Sequence, residues 1–341
     1  MAGHEEVSEP GDRQKDEGPA ERSTRGARAR RVLWVVQITA TIGAFTYLFY
    51  TVDWSQVQAA YARASLTGLL AACGIFYGAI AVGTARWRLL LIALGAVEAV
   101  SLLHLFRWYL IGLFYNTYVP GGVGGDVVRA LAIRDAFGPR GAAASLATVL
   151  IERAMGLGGM LVVVAGTTLM FPLAGMEHLG SFGALGLLLA LAGFFGLAFA
   201  NRLAQVVPAP LADLLQRLPV VRRYWPVAPA VVTAVVTHLL AALVGHTLIV
   251  TVAPHVALTE SLTLVPLALA SVYIPISVGG VGVVEVALVK LLALVAVPEG
   301  DALVIALMLR LCQWVVAAPG GLLVLAKPRA TAGSSAEPNA S

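Results

Sequence analysis

Two stretches of the sequence resemble one another, and both are built to interrupt a helix: Val119-Pro-Gly-Gly-Val-Gly-Gly125 and Ile274-Pro-Ile-Ser-Val-Gly-Gly280. Aligned on Pro120 and Pro275 they share P-x-x-V-G-G, and an acid follows each, Asp126 and Glu285. Proline lacks a backbone donor and glycine accepts positive φ, so helical pairing stops at both breaks. The amides freed there, with the positive end of the following helix, suit an anionic group such as phosphate. Gly124, Gly125, Gly279 and Gly280 close the two repeats, and Gly282 follows at once. Glycines that only let helices pack closely leave a similar pattern, but two related breaks with trailing charges favour a lined cavity. Neither is a nucleotide motif: no Lys-Ser/Thr follows as in a P-loop, and G-x-G-x-x-G is not met.

Charges inside apolar runs are the second signal. Arg129 stands three residues past Asp126, Glu152 and Arg153 lie inside the run 142–171, Glu285 and Lys290 follow the second break, and Arg310 falls inside the last run. Such groups are expensive in lipid, so they are expected to face protein and to be paired. Adjacent residues on a helix point about 100° apart, so Glu152 and Arg153 are not expected to pair with each other. Asp126 with Arg153 and Glu152 with Arg129 are the expected cross-helix pairs. These pairs can serve a substrate, or they can simply hold the bundle together. Arg86, Arg88, Glu98 and Arg107 are expected at interfaces, where long stems reach water. His238 and His246 share a helix face without a third ligand type nearby, which suits packing or a polar cavity rather than a metal site. Cys73 and Cys312 each sit in an apolar run and read as small core hydrophobes.

The elements that must carry these residues follow from composition. The chain has 341 residues, 59% apolar and 12% charged, and a mean hydropathy of +0.84. A soluble domain is about 45–50% apolar and about 25% charged, so the expected fold is all-α, a polytopic transmembrane helical bundle. Residues 1–31 lack an apolar period and are expected to form a disordered cytoplasmic tail, with 327–341 a second one. Between them, 32–326 forms the membrane domain. Spanning runs fall at 32–50, 66–84, 142–171, 179–200, 226–252 and 302–326. Residues 53–63 read as an interfacial helix and 202–223 as an Arg-rich loop. The net charge of +4 reflects arginines in short loops, with no aromatic-interleaved patch for nucleic acid. By the positive-inside rule both termini are cytoplasmic, and 101–137 enters and leaves on the cytoplasmic side. The first break then opens from the cytoplasm and the second, in 261–297, from outside, which is an inverted repeat. Charge placement leaves open whether 261–297 is re-entrant or two crossings.

In this order the motifs resemble the transmembrane-region family of lysylphosphatidylglycerol synthases, a flippase-like module also found as stand-alone membrane proteins. The matching pieces are Arg86-Trp87-Arg88, Asn116-x-x-x-Pro120-Gly-Gly-x-Gly-Gly-Asp126-x-x-Arg129, Glu152-Arg153, and Pro275-x-Ser277-x-Gly-Gly280-x-Gly282-x-x-Glu285. The resemblance implies a plasma-membrane protein that moves a phospholipid or a lipid-linked polar headgroup between leaflets. It also implies no enzyme activity, because the aminoacyltransferase domain of the bifunctional relatives is expected to be absent, and it admits a partner synthase or glycosyltransferase. The expected substrate-binding residues are Asn116, Pro120, Gly124, Gly125, Asp126, Arg129, Glu152, Arg153, Pro275, Ser277, Gly279, Gly280, Gly282 and Glu285. No cofactor or metal is expected. Without an ATP-binding motif, movement is downhill, ion-coupled or driven by a partner. An intramembrane transferase acting on a lipid carrier and a scaffold for a partner enzyme remain the alternative readings.

Overall fold

A computed structural model of the chain describes residues 19–96, 100–119, 124–172, 180–181, 183–188, 192, 205–207, 221–273 and 280–326. Among them there is no strand, and the protein is a helical membrane bundle. Helix α1 (Pro19–Thr51) starts earlier than the apolar run, so residues 19–31 of the expected tail continue it as helix. The local sequence permits this, because Ala and Arg are good helix formers and only Gly26 intervenes after Pro19. The chain then bends by 95° into α2 (Trp54–Arg63), the expected interfacial helix. Asp53 caps it by accepting the Ser55 N–H at 2.9 Å.

Helix α3 (Leu66–Ala93) runs past the expected end at 84, since no breaker occurs before Gly95, which takes φ +80°. It thereby carries Arg86 and Trp87 inside the bundle instead of ending at them. Helices α4 (Leu102–Tyr118) and α5 (Gly124–Ala132) flank the first break. They form an antiparallel hairpin: Asn116 of α4 meets Gly125 and Asp126, while Tyr109, farther back along α4, meets Arg129. A 3₁₀ segment (Arg134–Arg140) leads into α6 (Gly141–Met170). After it come α7 (Val227–Val252), α8 (Leu258–Ala270), a 3₁₀ turn at Ser271–Tyr273, α9 (Val283–Ala293) and α10 (Glu299–Leu325). Among the described residues α3, α6, α7 and α10 are long and apolar enough to cross a membrane, and the bent pair of the first helices would make a fifth span. The expected span 179–200 and the loop 202–223 lie largely outside the described residues, and residues 327–341 lie wholly outside them.

Small residues set the packing, because helices in lipid gain by close approach and not by hiding from water. Helices α3 and α7 lie antiparallel: Gly68 abuts Thr251 at one end, and the Arg222 N–H reaches the Ala93 carbonyl at 2.8 Å at the other. A side chain at Gly159 would meet the Ala234 backbone, and one at Gly245 would meet Val265. The main core gathers Leu248, Leu264, Leu288, Leu292 and Ile305, and it includes Cys73 and Cys312 as free thiols 3.3 Å apart. Arginines stitch the helix ends. Arg63 binds Asp301 at 2.7 Å and the Val252 carbonyl at 2.9 Å, while Arg107 at the far end donates to the Ala326 carbonyl at 3.1 Å.

The packing predicts opposite outcomes for two glycines. A Cβ at Gly320 overlaps the Leu110 carbonyl oxygen, whereas Gly74 of α3 faces open space. Gly320→Ala should lower the melting temperature in detergent, by overpacking on the order of 1–3 kcal/mol. Gly74→Ala should hold or raise it by up to about 1 kcal/mol.

Candidate functional site

The middle turns of α3, α4, α6, α7 and α10 surround a cavity of about 360 Å³. Both short helices that follow the breaks, α5 and α9, point acids into it: Asp126 and Glu285. An apolar bundle therefore holds its polar groups at mid-depth, around one space.

Glu152 is the hub of the first cluster. It is 3% exposed; its Oε2 accepts from Arg129 Nη2 and its Oε1 from Arg86 Nη2 at 3.2 Å. Trp87 and Tyr109 cover the Arg129 guanidinium, each ring centroid 4.2 Å from it, so its plane is fixed and its edge is aimed at the carboxylate. Asp126 pairs with Arg153 Nε and accepts from Asn116 Nδ2 at 3.4 Å, with Arg129 at 4.0 Å. Both expected cross-helix pairs are thus present. Their origin is local: Asp126 and Arg129 share a face of α5 at three-residue spacing, and Glu152 and Arg153 diverge on α6 toward separate partners.

Asn116 has a positioning task. Its Oδ1 accepts the Gly125 N–H at 2.9 Å, which satisfies one free donor at the start of α5. Gly125 does not open backbone toward a ligand, as its place in the motif suggested. A Cβ there would overlap the Gly112 carbonyl oxygen, so this glycine lets α5 close on α4. Gly124 faces open space.

The second cluster is neutral. Glu285, 1% exposed, accepts from Arg310 Nε at 2.6 Å and from the Gly282 N–H at 2.7 Å. Arg310 also donates to the Gly280 carbonyl at 3.0 Å and to Gln313 at 3.0 Å. Gly280 and Gly282 take φ of +75° and +85°, the left-handed region that the motif anticipated. The ion pair therefore also fixes the turn after the second break. Pro120, Pro275, Ser277 and Gly279 lie outside the described residues.

Two charges stand elsewhere than the sequence suggested. Arg86 was expected at an interface, yet it is 5% exposed and lines the cavity, because α3 continues two turns further. Lys290 was grouped with the buried charges, but it is exposed and bonds Glu299 at 2.6 Å, away from the cavity. Sequence reasoning also missed Tyr109 and Tyr273 as cavity-lining rings and Trp87 as the buried ring that covers Arg129; an aromatic directly after Arg86 was the available signal for Trp87. His238 lines the cavity, with Nδ1 donating to the Ala234 carbonyl at 3.0 Å. His246 bonds Ser261 at 3.0 Å. Among the described residues no group of three His, Cys, Asp or Glu is placed to hold a metal.

A family model described as the lysylphosphatidylglycerol synthase TM region matches residues 34–320, most of the chain. The chain belongs to this family. No curated protein and no solved structure gives a match. Membership of the lysylphosphatidylglycerol synthase TM family gives the protein a membrane, lipid-related role. The family is the non-catalytic domain of a bifunctional protein.

The network ranks its members by burial. Glu152→Gln leaves two buried arginines without their carboxylate, and breaking such an arrangement costs about 3–5 kcal/mol. Arg153→Gln should cost less, because the Arg153 side chain is 37% exposed and Asp126 keeps Asn116 and Arg129 nearby. Thermal unfolding in detergent should therefore show the larger loss for Glu152→Gln; equal losses would contradict this ranking.

Proposed function

We propose that this protein translocates a phospholipid or a lipid-linked polar headgroup between membrane leaflets. The observation that carries the reading is the mid-bundle cavity, where both glycine breaks deliver an acid-bearing helix and, among the described residues, seven charged side chains face one space. A headgroup crossing an apolar bundle needs such polar lining, while its acyl tails remain in lipid. The arginines of the cavity wall hold phosphate, and Asp126, Glu152 and Glu285 order those arginines. The site residues inferred from sequence act in this reading as headgroup contacts or as supports for them. On the same reading the protein is not an enzyme, sits in the cell membrane with both termini cytoplasmic, and works beside a synthase or glycosyltransferase that makes its substrate.

Two experiments test the proposal. In vesicles, the full-length protein should speed transfer of a fluorescent phospholipid between leaflets, read by quenching from one side. Ala241→Trp, which puts bulk into the cavity from α7, should abolish the gain while leaving thermal unfolding unchanged. Transfer no faster than in protein-free vesicles for a phospholipid, its lysyl ester and a polyprenyl-phosphate sugar would count against translocation. For orientation, Cys73 and Cys312 are replaced and single cysteines are placed at two exposed sites. Asp135→Cys should react with an impermeant thiol reagent only in opened cells, whereas His255→Cys should react in intact ones.

A further inference from the structure

Charge balance in the cavity narrows the substrate. Among the described residues its wall holds four arginines, Arg86, Arg129, Arg153 and Arg310, against three carboxylates, Asp126, Glu152 and Glu285, a surplus of one positive charge. The break residues 120–123 and 274–279 contain no charged side chain to alter that balance. Each carboxylate is already taken: Glu285 by Arg310 and the Gly282 N–H, Asp126 by Arg153, and Glu152 by Arg129 and Arg86. A cationic headgroup entering the cavity finds no uncommitted anion.

The surplus sits on Arg86. It shares Glu152 with Arg129 through a single 3.2 Å bond, and its Nε and Nη1 have no hydrogen-bond partner although the residue is 5% exposed. Idle donors on a buried guanidinium are a costly state, which an acceptor in the cavity relieves. Arg129 also leaves its Nε unpartnered, but two rings cover its faces and the Glu152 carboxylate takes its Nη2, so it has less room for a ligand. Tyr273 and His238, 3.5 Å apart, line the same cavity and add neutral polar atoms without changing the charge.

We infer that Arg86 is the docking point for a phosphodiester monoanion, and that the cavity selects a headgroup of net negative charge over a lysyl ester of the same lipid. The inference rests on the headgroup-cavity reading above but concerns binding alone. The unpartnered Nε–H and Nη1–H lie on different edges of the guanidinium, so each gives a phosphate oxygen a separate charge-assisted bond while Nη2 stays with Glu152. One positive surplus is neutralised by one negative headgroup. A lysyl ester carries two ammonium groups against one phosphate, and its amines would face arginines.

The test uses the full chain in neutral detergent, titrated calorimetrically with short-chain phosphatidylglycerol, its lysyl ester, a short-chain polyprenyl-phosphate sugar and inorganic phosphate. Phosphatidylglycerol or the polyprenyl-phosphate sugar should bind at least about tenfold more tightly than the lysyl ester. Arg86→Gln should weaken that binding about 10–100-fold, as loss of a charge-assisted contact does, and Arg86→Lys, which keeps the charge, should fall between. Asp126→Asn raises the surplus to two and should tighten anion binding. A merely structural role for these residues would instead make both Arg86→Gln and Asp126→Asn weaken binding. Lysyl ester binding as tight as the parent lipid, or Asp126→Asn weakening anion binding in a protein that still melts cooperatively, would overturn the inference. Inorganic phosphate binding as tightly as either lipid would overturn the lipid assignment. Binding with these preferences but no transfer in vesicles would sustain the inference while defeating translocation. Transfer by a protein that binds without charge preference would do the reverse.

Discussion

The bundle depends on how charge is held where water is absent. Glu152 answers that constraint for the first cluster: one carboxylate, 3% exposed, bridges Arg86 on α3 and Arg129 on α5 while sitting on α6. Three helices are thereby fixed around a single group, and the cost of exposing any member to lipid keeps them there. The rings of Trp87 and Tyr109 complete the arrangement by covering the guanidinium that α5 supplies. A cavity can persist beside this cluster because its polar wall is held by ion pairs and not by packing alone.

The two breaks reach similar results by different means. In each, the acid of a short helix bonds an arginine on the next long helix, Asp126 with Arg153 and Glu285 with Arg310. The first break is shaped by close approach, with Gly125 against the Gly112 backbone and Asn116 supplying an acceptor. The second is shaped by conformation, with Gly280 and Gly282 at positive φ and Arg310 gripping the Gly280 carbonyl. The exposures differ as well: the Arg153 side chain is 37% exposed and that of Arg310 is 7% exposed. The first pair thus stands at the edge of the cavity and the second deep in its wall.

Arginines away from the cavity do another job. Arg63 and Arg107 donate to carbonyls at helix ends, satisfying groups that a helix cannot pair internally. Their backbone partners at helix ends separate them from Arg86, which bonds a carboxylate and lines the cavity. The difference lies in what surrounds each guanidinium, and residue type alone does not show it.

The sequence by itself determined the class of fold and much of the site. Long apolar runs leave only helices able to satisfy their own backbone in lipid, and α6, α7 and α10 begin and end close to the expected limits. Helical periodicity set Glu152 and Arg153 apart and left Asp126–Arg153 and Glu152–Arg129 as candidate pairs, both of which the fold makes. Tertiary structure decided the rest. Arg86 looks like a span-end arginine until α3 is seen to continue past it, and Gly125 looks ligand-facing until α5 is seen to fold onto Gly112. Lys290 looks like a membrane charge until the chain brings Glu299 beside it. In each case the deciding partner is remote in sequence or set by the packing of another helix, and local pattern carries no record of such contacts.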